Sequence, residues 1–349
     1  MKRMIMLLSL LAVLLCGCTG AKEPIQVQFF AMDTIMTATV YGKEAEEAAR
    51  AVQTKVNELD KIWSRTRESS EISQINAHAG DGTEVSVSPE TAELLQHALD
   101  IMKESEGAFN PLVAPVMDAW GFTGAERRVP SEEELADLLA LTESVPGLRY
   151  DEGFENAAVF LPEEGQKLDL GGIAKGMATA CGTLATQPYD IDGFLLDLGG
   201  NLHTWGEKPD GSDWKVAVKD PNNTQNLLCA FLMSGRTCST SGGYERYFEQ
   251  DGEIYHHIID PATGYPADSD LVSVTVVGSS VWADAYSTAF FVMGSEKALS
   301  FWREGNGHAG SADLILVTED NHVYITEGLE NGLDFLGAEN GYTYEIVYR

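Results

Sequence analysis

The chain has 349 residues, enough to bury a core of ordinary size, and carries 23 basic against 54 acidic side chains. A net charge of −31 repels polyanions, so nucleic acid and anionic lipid are excluded as partners held by charge. Five cysteines with no Cys-x-x-Cys pair argue against a disulfide-built fold.

Lys2 and Arg3 precede an apolar run from Met4 to Leu15, followed by Cys16-Gly17-Cys18. That order reads as a secretory signal rather than a membrane span. Leu15-Cys16-Gly17-Cys18 resembles a bacterial lipobox, which implies lipidation at Cys18; an ordinary cleaved signal is the alternative. The expected organisation is a signal peptide over 1–17, a tether over 18–27 and one large domain over 28–349. Its expected location is the extracytoplasmic face of the cell membrane, held by acyl chains. Without residues 1–17 the chain keeps 332 residues, with 21 basic and 54 acidic side chains and a net charge of −33.

From Phe29 to Tyr41 apolar residues alternate, predicting a strand or hairpin. Glu44–Trp63 follows as an amphipathic helix with Ala48, Val52, Val56, Leu59 and Trp63 on one side. Ser88-Pro89 starts another helix and Gly107 ends it; Ser131 with Glu134 reads as a capping box. Strands are expected at Ala157–Leu161, Lys167–Leu170, Phe194–Leu198, Trp214–Val218, Leu228–Met233, Ile254–Ile259 and Leu271–Val277. Ile173–Ala185 and Val281–Met293 read as helices, and Asp313–Thr318 with His322–Thr326 as a hairpin. Helices come mostly first and strands mostly later. That order predicts an α+β fold with a mostly antiparallel sheet flanked by helices.

Three stretches carry chemistry. Leu168-Asp169-Leu170-Gly171-Gly172 is echoed at Leu196-Asp197-Leu198-Gly199-Gly200-Asn201. Each reads as an apolar run entering a tight glycine turn; in the first, a helix follows and offers free N–H groups to an anion. Asp284, Ser287 and Thr288 share one face of an otherwise apolar helix, a hard-oxygen set suited to Mg²⁺. Hydroxyls bonded back to their own helix and a solvated acid are the plainer alternative. In Tyr255-His256-His257-Ile258-Ile259-Asp260-Pro261, adjacent histidines on a strand face opposite sides. A two-histidine zinc site is thereby disfavoured, leaving a general base, a ligand contact or a packed core histidine.

Seven ordered blocks together resemble the ApbE family of FAD:protein FMN transferases: Phe30–Thr34, Gly107–Pro111, Leu168–Gly176, Leu196–Asn201, Thr240–Arg246, His257–Pro266 and Ala283–Thr288. By that resemblance Met32, Ala108, Phe109, Asn110, Asp169, Lys175 and the backbone of Ile258 line an FAD pocket. The Gly172 carbonyl, Asp284 and Thr288 hold Mg²⁺, and His257 sits where transfer occurs. Asp284 as metal ligand and as base are competing assignments, and a metal-bound carboxylate is a weak base. The implied reaction moves FMN from FAD to a threonine on an acceptor subunit of a membrane redox complex, releasing AMP. A Mg²⁺-dependent FAD pyrophosphatase and a non-catalytic FAD-binding lipoprotein are the rival readings. Asp33 stands where the family often has Gly, Asn110 where it has Asp, and Thr66 where it has an aromatic residue.

Overall fold

The alternation at Phe29–Tyr41 becomes two strands, β1 (Ile25–Ala31) and β2 (Thr34–Gly42), in a computed structural model that describes residues 23–124 and 126–349. The expected signal peptide and Cys18 lie outside the described residues. Ile25–Val27, expected in the tether, already belong to β1 and pair with β2. Met32 and Asp33 join the strands at φ 48° and 59°, the left-handed pair that a tight hairpin turn of matching twist requires.

A long helical insertion separates β2 from the strand it pairs with next. It comprises α1 (Ala45–Trp63), α2 (Glu71–Ala77), β3 (Val85–Val87), α3 (Pro89–Glu104), α4 (Ala114–Trp120), α5 (Glu132–Ala140), β4 (Gly147–Arg149), β5 (Ala157–Phe160) and α6 (Ala174–Thr186). Then follow β6 (Ile191–Leu198), β7 (Asn201–Gly206), β8 (Lys215–Asp220), β9 (Asn223–Leu232), β10 (Thr237–Gly242), β11 (Tyr247–Gln250), β12 (Glu253–His256) and β13 (Leu271–Gly278). The chain closes with α7 (Ser280–Arg303), β14 (Asp313–Thr318), β15 (His322–Thr326), β16 (Asp334–Phe335) and β17 (Thr343–Val347).

Nine strands form the main sheet in the order β1-β2-β6-β7-β10-β13-β14-β15-β17. Every neighbouring pair is antiparallel except β15 with β17. The fold is therefore α+β with a mostly antiparallel sheet, as the element order predicts. Val52 and Val56 of α1, Met177 and Ala178 of α6, and Ala285 and Phe290 of α7 pack with Leu196 and Val274 of the sheet in the principal core. A second apolar core joins β8 and β9 to the main sheet through Val216, Phe231, Val277 and Ile315. It encloses Cys229 and Cys238 as free thiols, both pushed up to about 12 by burial.

The expected Ser88 and Ser131 caps form, and Ser70 adds a third. The Ser70, Ser88 and Ser131 hydroxyls accept from Ser73, Thr91 and Glu134 N–H groups. The reciprocal half of the Ser131 box is absent, because the Glu134 carboxylate pairs with Arg128 instead.

Three of the expected elements differ in ways that bear on the site. Lys167–Leu170 is extended but joins no ladder: Asn76 accepts from Leu168 N–H at 2.7 Å and donates to its carbonyl at 3.1 Å. The strand expected to reach Ile259 ends at His256, since the Asp260–Gly264 turn folds the chain back and Ile259 bridges Pro266 alone. Finally, α7 runs ten residues past Met293, to Arg303, with a break at Gly294 (φ 78°, ψ 169°) that Asp270 caps from outside.

Candidate functional site

The extended Lys167–Leu170 segment delivers Asp169 to a cationic corner. Arg65 donates to Asp169 at 3.1 Å and to Asp118 at 2.7 Å, and Lys167 pairs with Asp118 at 2.8 Å. The second Asp169 oxygen accepts from Gly171 N–H at 2.8 Å, which shapes the turn before α6. Thus the Leu168–Gly172 copy is held by side chains, and neither Gly171 nor Gly172 takes a positive φ. The Gly199–Gly200 copy is the true hairpin turn, at φ 68° and 92° between β6 and β7.

The anion expected at the start of α6 is the protein's own Asp284. Its carboxylate, in a residue only 4% exposed, accepts from Gly176 N–H at 2.8 Å, Asn201 Nδ2–H at 3.0 Å and the Ser239 hydroxyl at 3.2 Å. Lys175 Nζ stands 3.6 Å away. A Cβ at Gly176 would lie 2.4 Å from the Ser280 carbonyl and 2.7 Å from Asp284 Cβ. Glycine is therefore what lets α6 touch α7 and reach the carboxylate.

One turn further along α7, hydroxyls gather. Ser241 Oγ lies 2.7 Å from Ser287 Oγ and 3.5 Å from Thr288 Oγ1. The turn meets them: a Cβ at Gly172 would stand 3.6 Å from Thr288 Oγ1 and 3.1 Å from Phe109. The fold thus assembles the expected Gly172, Asp284 and Thr288, with Phe109 against the turn. Among the described residues no three His, Cys, Asp or Glu side chains converge, so this is one carboxylate among neutral oxygens. Such a hard-oxygen set suits Mg²⁺, which retains several waters. Asn201 supplies a fit: the residue is 1% exposed, its Oδ1 has no hydrogen-bond partner among the described residues, and a metal-bound water is a donor of the missing kind.

Other expected residues take varied places. Met32 donates its N–H to Asp60 at 2.8 Å, and the adjoining Thr34 packs against the Gly199 turn. Asn110 spends its amide inside the fold, accepting from Leu112 N–H and donating to the Thr142 carbonyl. Ala108 packs half-buried against the principal core. Ile258 N–H donates to His256 Nδ1, and its carbonyl accepts from Ala267. The two histidines diverge: His256 meets Phe291 edge-on at 5.4 Å, while His257 Nδ1 lies 3.2 Å from the Arg246 carbonyl. Burial first, then the Arg246 charge, press the His257 imidazole down to about 4. It is neutral at neutral pH.

Asn201, Ser239, Ser241 and Arg65 were not among the expected functional residues. Asn201 ends the echo at Leu196–Asn201, which reads from sequence as a plain strand end. The polarity of β10 is the signal that points to the serines. A strand reading Thr-Cys-Ser-Thr-Ser-Gly yet largely buried must spend its hydroxyls on neighbours.

Comparison with known proteins places this arrangement. The sequence profile of the ApbE family matches residues 32–311. The chain is 32% identical over 354 residues to the FAD:protein FMN transferase of Treponema pallidum (strain Nichols), covering 95% of this chain and 96% of that protein. It is 33% identical over 307 residues to a protein of the same name from Klebsiella pneumoniae (strain 342), covering 87% and 91%. The crystal structure of the ApbE protein from Thermotoga maritima superposes with a TM-score of 0.75 at 30% identity, over 93% of this chain and all of that one. The apo form of Pseudomonas stutzeri flavinyl transferase ApbE gives 0.73 at 28% identity, over 86% and 93%. The chain belongs to the ApbE family.

Proposed function

We propose that this protein is a Mg²⁺-dependent FAD:protein FMN transferase, acting on a threonine of an acceptor subunit in a membrane redox complex. The observation that carries it is the buried Asp284 carboxylate, fixed by α6, β7 and β10 beside Thr288 and the Gly172 turn. Asp284, Thr288 and the Gly172 carbonyl would hold the cation, which neutralises pyrophosphate charge and polarises the phosphoryl oxygens. Asp169, braced by Arg65, and Lys175 would orient the dinucleotide, with Met32, Ala108, Phe109, Asn110 and Ile258 as the residues that resemblance assigns to its pocket.

In the proposed step the threonine hydroxyl forms a P–O bond to the FMN-side phosphorus. The bond to the bridging oxygen breaks, and AMP leaves with that oxygen. The neutral His257 imidazole takes the hydroxyl proton, and its lowered basicity puts the gain at the low end of general-base catalysis, about 10² in rate. Asp284 is a poor base because both its oxygens already accept hydrogen bonds. Lipidation at Cys18 would hold the enzyme on the extracytoplasmic face, beside a membrane-bound acceptor.

The test is to incubate the protein with FAD, Mg²⁺ and a threonine-bearing flavoprotein subunit. Covalent flavin fluorescence on the subunit is expected. Free FMN and AMP with an unlabelled subunit would make the protein a hydrolase, and unchanged FAD a binder. Asp284→Asn should abolish labelling with its thermal unfolding midpoint kept. His257→Asn should slow transfer more than it weakens FAD binding; equal losses would leave His257 a binding residue.

A further inference from the structure

Lys175 occupies an unexpected place for a residue that resemblance assigns to the dinucleotide. Its ammonium lies 3.6 Å from Asp284 Oδ1 and donates to the Gly171 carbonyl at 3.3 Å. Both contacts fall on groups that flank the candidate metal position. The Lys175 side chain is 24% exposed, the Asp284 side chain 5%. A carboxylate so deeply buried draws compensating charge, and the next residue of α6, Gly176, already grips its other oxygen.

We propose that Lys175 is a place-holding counter-ion of Asp284, which a divalent cation displaces and which then becomes free to meet the phosphates of the dinucleotide. The inference rests on the metal site proposed above. A divalent ion on Asp284 repels an ammonium this close, so metal binding must push Lys175 away. The flexible four-carbon stem permits that swing without moving α6. An anion that draws Lys175 off equally clears the way for the metal. Metal and dinucleotide therefore strengthen each other by the same factor, with one lysine as the coupling element.

The experiment is a Mn²⁺ titration without nucleotide, followed by electron paramagnetic resonance, on the wild-type protein and its Lys175→Gln, Lys175→Arg and Asp284→Asn variants. Lys175→Gln is expected to bind Mn²⁺ about fivefold tighter, the scale of one ion pair removed, and Lys175→Arg to stay near wild type. Unchanged or weaker binding in Lys175→Gln overturns the proposal while Asp284-dependent binding in the wild type keeps the metal site. Wild-type binding that Asp284→Asn does not weaken overturns the metal site and this inference with it. Acylation of the Lys175 amine, read by mass spectrometry, gives a second measure. Its rate should rise on adding Mg²⁺ to wild type and not to Asp284→Asn, and a fall or no change in wild type counts against displacement.

Discussion

Asp284 is useful because its surroundings leave it no freedom. Asn201 is the most telling neighbour, donating to the carboxylate while its own oxygen has no partner among the described residues. Asn201→Ala should weaken Mn²⁺ binding by about 10–100-fold, the usual cost of losing a residue that orients a metal ligand. Titration of that variant beside Asp284→Asn checks it. Away from the carboxylate, His203 offers a separate expectation. It is 8% exposed, bonded through Nδ1 to Thr237, and pushed down to about 4 by burial. Its folded value lies below its unfolded one, so the neutral ring stabilises the protein above pH about 6.5, and that contribution is lost as pH falls toward 4. The loss amounts to about 3 kcal/mol. Urea unfolding across that range should show it, and His203→Gln should flatten the slope, leaving the part owed to His97, His256 and His257, which burial also lowers.

At the level of elements, helices were the most legible in sequence and the extended pieces the least. The buried stripe of α1 is the one its periodicity predicts, and Ser88 and Ser131 cap as expected, whereas Ser70 with the short helix α2 it starts, and α4, were not anticipated. Lys167–Leu170 misled because β-like composition does not say what satisfies the backbone; Asn76, some ninety residues earlier in the chain, bonds both backbone groups of Leu168, and the Pro111 carbonyl accepts from Asp169 N–H. Of the site, Asp284 and Thr288 were legible from helical spacing, whereas Asn201 and Ser239 reach it only through sheet register. Two substitutions test the elements. Gly176→Ala puts a methyl against Ser280 and Asp284, so it should cost about 2–3 kcal/mol and weaken metal binding together, read by urea unfolding and Mn²⁺ titration. Asp33→Gly relieves a left-handed residue in the β1–β2 turn and should add about 0.5 kcal/mol, visible as a raised thermal midpoint.

The whole molecule carries charge in a lopsided way. With a net charge of −31, general repulsion opposes compaction, yet Arg65, Lys167, Lys175 and Arg246 are gathered around Asp169, Asp284 and His257. Screening the repulsion should raise stability, so the thermal midpoint is expected to climb as NaCl goes from about 20 mM to about 0.5 M. The pairing of β2 with β6, where Met36 meets Leu198, has a kinetic side. The sheet cannot close until the entire helical insertion has emerged and its ends have met, a slow search dominated by distant contacts. Asp284 then meets Gly176, Asn201 and Ser239 only when three far-separated parts of the chain have docked. A nascent chain ending before β6 presents an open strand edge and no site, so the proposed metal binding would report completed folding and appear last.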